Sequence, residues 1–290
     1  RGAEIPRALL AAGCTPLLAA ILHLRGLSDP AAARSFLRGG AETLTNPLEL
    51  TGMVDAVQRL TRAVATGEHV AVYGDYDVDG ITAACLLTDY LRFRGLTCEL
   101  YIPDRIREGY GLNTAAIDAL AEKGVTLIVT VDCGVTNLEE TAYAAQRGVD
   151  MIVTDHHECR EALPEAEAVV DPKQPDSSGV GTALAGVGVA FKLVCAMDGD
   201  ADKMLARYGD LVAVGTVADV MPLLGENRFI TRCGLQKIAA GDCRPGFLAL
   251  AEEAGVRDKP FTASTVGFSL APRINAAGRL GEPSLAVRQI

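Results

Sequence analysis

The chain has 290 residues, with 27 Lys and Arg against 37 Asp and Glu, a formal net charge of −10, and 49% hydrophobic residues. Such hydrophobicity excludes an intrinsically disordered chain, and 30 glycines without a G-X-Y period exclude a collagen. At about 150 residues per domain, the length fits one large domain or two ordinary ones, and no apolar run reaches the roughly 18–20 residues that cross a bilayer.

Residues 1–55 are expected to be a helical N-terminal segment. Leu9-Leu10, Leu17-Leu18, Ile21-Leu22 and Leu24 recur at helical spacing, and Ser28-Asp29-Pro30 reads as a cap leading into Ala31 to Leu37. Gly39-Gly40 and Asn46-Pro47 then punctuate the chain. From about residue 69 the pattern changes. Short apolar runs at His69 to Tyr73, Cys98 to Ile102, Thr126 to Val131, Met151 to Val153 and Ala168 to Val170 predict strands. Helical patterns at Ile81 to Arg94, Thr114 to Lys123 and Leu138 to Arg147 separate the first four. Continuous apolar strands alternating with helices predict an α/β fold, with a parallel doubly wound sheet flanked by helices. After Pro175 the reading is helical, over Gly186 to Met197, Leu205 to Val220 and Asn227 to Ala240. The core is expected over residues 56–255, with a further segment over 256–290.

Eight cysteines, at 14, 85, 98, 133, 159, 195, 233 and 243, form no CxxC pair. They are read as reduced thiols of a cytoplasmic protein rather than a zinc or redox motif. No charged n-region followed by an apolar h-region opens the chain. Starting at Arg1 and stopping at Ile290, the sequence reads as a fragment of something longer. The acidic balance does not favour a nucleic-acid binder, because polyanion affinity comes from Lys and Arg. A polyanionic substrate would have to be held by local arginines or bound metal ions.

The acidic residues follow the strands. The first strand ends in Gly74-Asp75-Tyr76-Asp77-Val78-Asp79-Gly80, the third in Asp132-Cys133-Gly134, and the fourth in Asp155-His156-His157. Strand C-termini of a parallel sheet share one edge, where ligands of open α/β sheets bind. Five Asp and two His are therefore expected together. Carboxylates so close would repel, and a divalent cation removes the conflict. Manganese, magnesium or iron suits such oxygen and imidazole donors better than a thiophilic ion. Asp75, Asp77, Asp79 and Gly80 also match the first half of an EF-hand loop, but its twelfth position is Leu86 instead of Glu and a strand precedes it. A solvated acidic turn is the plainer alternative. In an extended segment, His156 and His157 point opposite ways, so one could bind metal while the other faces substrate. Asp155 could orient an imidazole or buttress the turn. Asp219 is the only charge between Leu211 and Leu224, so it requires a partner: a metal, an Arg or a helix N-terminus.

In order, Asp75-Tyr76-Asp77-Val78-Asp79-Gly80, Val131-Asp132-Cys133-Gly134, Asp155-His156-His157 and Val217-Ala218-Asp219 resemble the four motifs of the DHH phosphoesterase superfamily. Within it, Glu108-Gly109-Tyr110-Gly111-Leu112, the stretch from Gly186 to Lys192, and Ala271-Pro272-Arg273-Ile274-Asn275-Ala276-Ala277-Gly278-Arg279-Leu280 resemble the RecJ family of bacterial single-strand-specific exonucleases. The resemblance implies a two-ion manganese or magnesium centre. Asp77 would bind the first ion, Asp79 the second, and Asp132 both, with His156 and Asp219 completing the second site. His157 would contact the scissile phosphate, and Asp75 would be an outer ligand or orienting group. Arg273, Asn275 and Arg279, on a helix connecting two lobes, would touch phosphates, or else pair to hold that helix. Arg105 would help hold the 5′ end.

The implied activity is metal-dependent 5′-to-3′ hydrolysis of single-stranded DNA in repair and recombination. A bacterial cytoplasmic protein with no membrane contact is expected, a monomer because nothing in the sequence signals an interface, with a helicase or a single-strand-binding protein as partner. With 5% aromatics and no Trp, base-stacking platforms are scarce. Family members continue into a DHH-associated domain and often an OB-fold, for which this sequence has no room, so the isolated fragment is expected to lack its substrate clamp. Two other readings compete. One is a DHH phosphodiesterase for short oligoribonucleotides or cyclic dinucleotides, although those relatives begin the first motif with a His before Asn-Pro-Asp. The other is a silent binding module, which the full set of candidate ligands disfavours.

Overall fold

Alternate residues of each central strand are buried on opposite faces. Val70 and Val72 of the first strand enter one core, and Ala71 and Tyr73 enter another. The five strands are β1 His69–Gly74, β2 Thr97–Tyr101, β3 Leu127–Val131, β4 Asp150–Thr154 and β5 Ala168–Val170. All pair in parallel, in the order β2-β1-β3-β4-β5. Burial on both faces explains why β1, β3 and β4 read as nearly continuous apolar runs, while the edge strand β2 is only partly buried. The computed structural model describes residues 6–279 and, beyond them, residues 285, 287, 288 and 290.

Crossovers run through α5 (Val78–Phe93), α6 (Thr114–Glu122) and α7 (Leu138–Gln146). The chain leaves β1 for β2 on one side and returns to β3 on the other. This switch point opens a crevice between β1 and β3, beyond their carboxyl ends. Helices α6 and α7 cover one face. The other is covered by α4 (Met53–Thr66), α5, α8 (Gly186–Asp198) and α9 (Ala201–Ala218).

The N-terminal helices α1 (Arg7–Ala11), α2 (Pro16–Leu24) and α3 (Pro30–Arg38) share a small core of Leu9, Ala19, Leu22 and Ala33. Asp29 caps α3, as the sequence predicts, accepting from the Ala32 N–H at 2.8 Å. The boundary expected after residue 55 falls inside α4, whose Met53, Ala56, Leu60 and Ala63 belong to the main core. On the same helix the buried Arg59 pairs with Glu68 at 2.7 Å and Asp150 at 2.8 Å, tying together the starts of β1 and β4.

Helices α10 (Gly225–Ala240) and α11 (Pro245–Glu253) follow. The last stretch is a helix in three parts: α12 (Ala263–Thr265), a π turn over Val266–Leu270, and α13 (Ala271–Arg279). Pro272 has no N–H for the carbonyl of Phe268, and its ring would crowd that carbonyl; the wider π turn relieves both. Among the described residues, no helix is long and apolar enough to cross a membrane. The eight cysteines are all free.

Candidate metal centre

The turn after β1 is wound tightly enough that a Cβ on Gly80 would lie 2.6 Å from the Asp75 backbone nitrogen. That turn lets α5 start at Val78, three residues before the predicted Ile81. Asp77 is its N-cap, accepting from the Gly80 N–H at 3.0 Å, and Asp79 lies in its first turn. Asp79, almost fully buried, accepts from the N–H groups of Gly186 at 2.6 Å and Val187 at 2.8 Å. These are the free N–H groups that open α8.

Asp132 follows β3 with φ 60°, the left-handed region that L-residues with a Cβ seldom occupy. It and Val220, next to Asp219, are the only non-glycine residues in that region among the described residues. Strain of about 1–3 kcal/mol at such positions gathers at functional sites. Two glycines make the crowding possible. A Cβ on Gly186 would lie 2.5 Å from the Asp132 Cβ, and one on Gly215 would lie 3.0 Å from Asp79 Oδ1.

Asp155 both buttresses the turn and orients an imidazole. Its Oδ2 accepts from the Val135 N–H at 3.0 Å, and its Oδ1 accepts from the N–H groups of His156 at 2.7 Å and His157 at 3.2 Å. The same Oδ1 takes His157 Nδ1 at 2.7 Å. Burial alone would raise the Asp155 carboxyl, but this bond brings it below the usual carboxylate range. In return, Asp155 raises the pKa of His157. His157 therefore keeps Nε2 as its free ring nitrogen.

His156 points inward. Its Nε2 lies 3.0 Å from Asp132 Oδ1 and 3.7 Å from both Asp79 Oδ2 and Asp219 Oδ2. Burial, followed by the neighbouring His157, pushes its pKa down to about 4, so at neutral pH the ring is uncharged and these contacts are not ion pairs. Burial, then the Asp77 carboxylate, pushes Asp75 up to about 7 and Asp219 up to about 6. Asp79 and Asp132, in contact with further carboxylates, are held well above the usual range by burial first and those charges second.

Three overlapping sets of ligand atoms lie within 4.8 Å of one another: Asp75, Asp77 and Asp132; Asp79, His156 and Asp219; and Asp132, His156 and His157. Asp75 Oδ1, Asp132 Oδ1 and both ring nitrogens of His156 are buried without a hydrogen-bond partner. Groups of this kind are costly to bury unless something satisfies them. A divalent cation fits that need, and the oxygen and imidazole donors suit manganese or magnesium. The seven residues from Asp75 to Asp219 expected at the centre are thus brought together.

The expected phosphate contacts are placed less uniformly. Arg105 lies over the Tyr76 ring at 4.9 Å from its centroid, beside the first motif. Arg273 is exposed and donates to the Ser269 carbonyl of its own helix at 2.7 Å. Neither it nor the half-buried Asn275 makes a hydrogen bond or ion pair with the cluster among the described residues. Arg279 closes α13, and its side chain lies outside the described set. Sequence reasoning gave no role to Tyr110, whose Oη lies 3.5 Å from His157 Nδ1 and whose ring packs edge-on to Tyr76. The signal was its place between Gly109 and Gly111, both with positive φ. Gly186 and Gly215 were visible only as small residues in apolar helices.

Sheet and cluster together define a protein of the open α/β class, with a cluster of candidate metal ligands at the β1–β3 switch point. The chain belongs to the DHH family: the model of that family's N-terminal domain matches residues 69–216. The chain is 41% identical over 274 residues to the single-stranded-DNA-specific exonuclease RecJ of Bacillus subtilis, covering 94% of this chain and 34% of that protein. It is 41% identical over 254 residues to the Escherichia coli protein of the same name, covering 82% of this chain and 44% of that one. It superposes on a manganese complex of RecJ from Thermus thermophilus with a TM-score of 0.79 and 34% identity, covering 97% of this chain and 40% of the other. The chain therefore spans between a third and a half of the length of these relatives.

Proposed function

We propose that this chain is the catalytic core of a metal-dependent exonuclease that hydrolyses single-stranded DNA from the 5′ end, in bacterial repair and recombination. The observation that carries the reading is the buried, unpartnered pair Asp132 Oδ1 and His156 Nε2, set between two acidic ligand groups. Its kinship to proteins named as single-strand-specific exonucleases supplies the substrate class.

Asp77 and Asp75 would hold one ion, Asp79, His156 and Asp219 the other, and Asp132 both. Divalent ions held there would supply positive charge to the phosphodiester and the leaving oxygen and lower the pKa of a bound water. Asp79 is fixed for this by the α8 N–H groups, and Asp132 by its strained backbone. His157, anchored through Nδ1, offers Nε2 to a phosphate oxygen, and its raised pKa favours the protonated, donating form. Divalent ions held at the cluster would present positive charge locally to a polyanion, although the chain as a whole carries a net charge of −10. Arg105 would steady the 5′ end beside Tyr76. Arg273, Asn275 and Arg279 would follow the strand along α13. The protein would work as a cytoplasmic monomer, supplied with substrate by a helicase or a single-strand-binding protein.

The test is cleavage of a 5′-labelled single-stranded oligonucleotide with added Mn2+, beside an Asp132→Ala control and a dinucleotide substrate. Mn2+-dependent release of mononucleotides from the 5′ end, absent in the control, is the expected result. Equal cleavage by Asp132→Ala would overturn the reading. Preference for the dinucleotide would replace it with a phosphodiesterase of short oligoribonucleotides or cyclic dinucleotides.

A further inference from the structure

We propose that Asn227 is a positioning residue that sets the spacing between Asp79 and Asp219, and so holds the second cation position in shape. This rests on the two-cation reading above. Asn227 is 3% exposed, and its carboxamide nitrogen donates to the carbonyls of Ala183 at 2.5 Å and Pro222 at 3.2 Å. Each acceptor lies three residues from a part of the site. Ala183 enters the turn that ends at Gly186, where the N–H groups of Gly186 and Val187 grip Asp79. That turn is closed by the Leu184 N–H on the Gly181 carbonyl at 2.8 Å. Pro222 ends the loop that begins at Asp219, itself tied back by Val220 N–H to Val217 O and Met221 N–H to Thr216 O, both 3.2 Å.

One amide group thus joins two short, internally bonded segments, each carrying one side of the second ligand set. Asn227 is itself anchored. Its neighbour Glu226 pairs with the buried Lys192 of α8 at 2.6 Å, and Lys192 also donates to the Thr45 carbonyl at 2.6 Å. The first turn of α10 is therefore pinned to the helix whose N-terminus holds Asp79. Two carbonyl acceptors call for two N–H donors without charge, which a carboxamide provides and an isosteric carboxylate does not. Outer partners of metal ligands typically change affinity by about 10–100-fold when removed.

The experiment is calorimetric titration of Mn2+ into the wild-type chain, Asn227→Ala, Asn227→Asp and, as a stability control remote from the centre, Arg59→Met. The expected result is two Mn2+ ions in wild type and Arg59→Met. Both Asn227 variants should keep one ion at wild-type affinity and bind the other at least about 10-fold more weakly. Thermal melts in EDTA check that they lose no more stability than Arg59→Met. Wild-type affinity for both ions in both variants would overturn the proposal, as would weakening of both ions in step with lost stability. A single ion in the wild type would overturn the two-cation reading, and the proposal with it.

Discussion

His156 Nε2 stands 3.0 Å from Asp132 Oδ1, and neither atom has a hydrogen-bond partner. With the imidazole pushed down to about 4, the ring is uncharged at neutral pH and offers the neighbouring carboxylates no compensating charge. The clustered carboxylates repel one another until a cation enters, which makes the metal-free stability pH-dependent. Burial and neighbouring carboxylates push Asp75 up to about 7 and Asp219 up to about 6, and hold Asp79 and Asp132 well above the usual range. In the unfolded chain all four titrate near about 3.9. The folded state therefore binds the extra protons, and their stabilisation, complete below about pH 4, is lost as pH rises through the folded values. His156 works in the opposite sense up to about pH 6.5, so the window lies from there to about pH 8, in which His157, itself raised, loses stabilisation in the same direction as the carboxylates. Over that window the melting temperature in EDTA should fall, while the gain on adding excess Mn2+ should grow. Parallel pH curves with and without Mn2+ would refute the argument.

Asp132→Asn removes one charge from the cluster and leaves its shape. In EDTA the variant should be more stable than wild type by about 1–3 kcal/mol, since repulsion and an unpartnered buried charge are both relieved. Cleavage in Mn2+ should fall by at least about a thousandfold, because the ligand shared by two groups has lost its charge. Urea melts and single-turnover rates measure the two effects. A variant both less stable and fully active would mean that Asp132 is a structural acid.

The strands and the acidic and histidine residues that follow them were legible in the sequence for one reason, whereas Asp219, at the end of α9, drew its expected role from the family resemblance. Buried parallel strands are apolar throughout, so a charged residue at the end of one stands out. Asp75, Asp132 and His156 each follow such a run. Backbone geometry was not legible. Nothing in the residue types marks Asp132 or Val220 for positive φ, because Gly is the usual signal there. The early start of α5 was missed because Asp77 serves as both cap and candidate ligand, and the ligand reading hid the cap. Asn227 was missed because its partners lie 44 and 5 residues away, a distance no local pattern spans.

Asp155 holds His157 by a single carboxylate oxygen that also accepts two backbone N–H groups. Asp155→Asn should therefore lower the pKa of His157, because the bond to Asp155 is the main reason it is raised. It should also cut kcat by about 10–100-fold with little change in Mn2+ affinity. NMR titration of the histidine ring protons reads the first effect. An unchanged His157 titration would show that Asp155 only buttresses the turn.

Val220 is 86% exposed, directly follows Asp219, and has φ 59°. The N–H groups of Val220 and Met221 return to the carbonyls of Val217 and Thr216, which is the hydrogen-bond pattern of a helix C-terminus normally completed by Gly. A β-branched side chain makes that backbone costly, and its exposed position offers little packing in return. Val220→Gly should raise stability by about 1 kcal/mol, the relieved strain exceeding the added freedom of the unfolded chain. The cost should appear at the neighbouring ligand. With Gly in place, Asp219 is held less firmly, and Mn2+ binding should weaken a few-fold. Urea melts in EDTA and Mn2+ titrations distinguish these effects. A variant no more stable than wild type would show that the backbone at Val220 stores no strain, and that Asp219 is aimed by its other contacts alone.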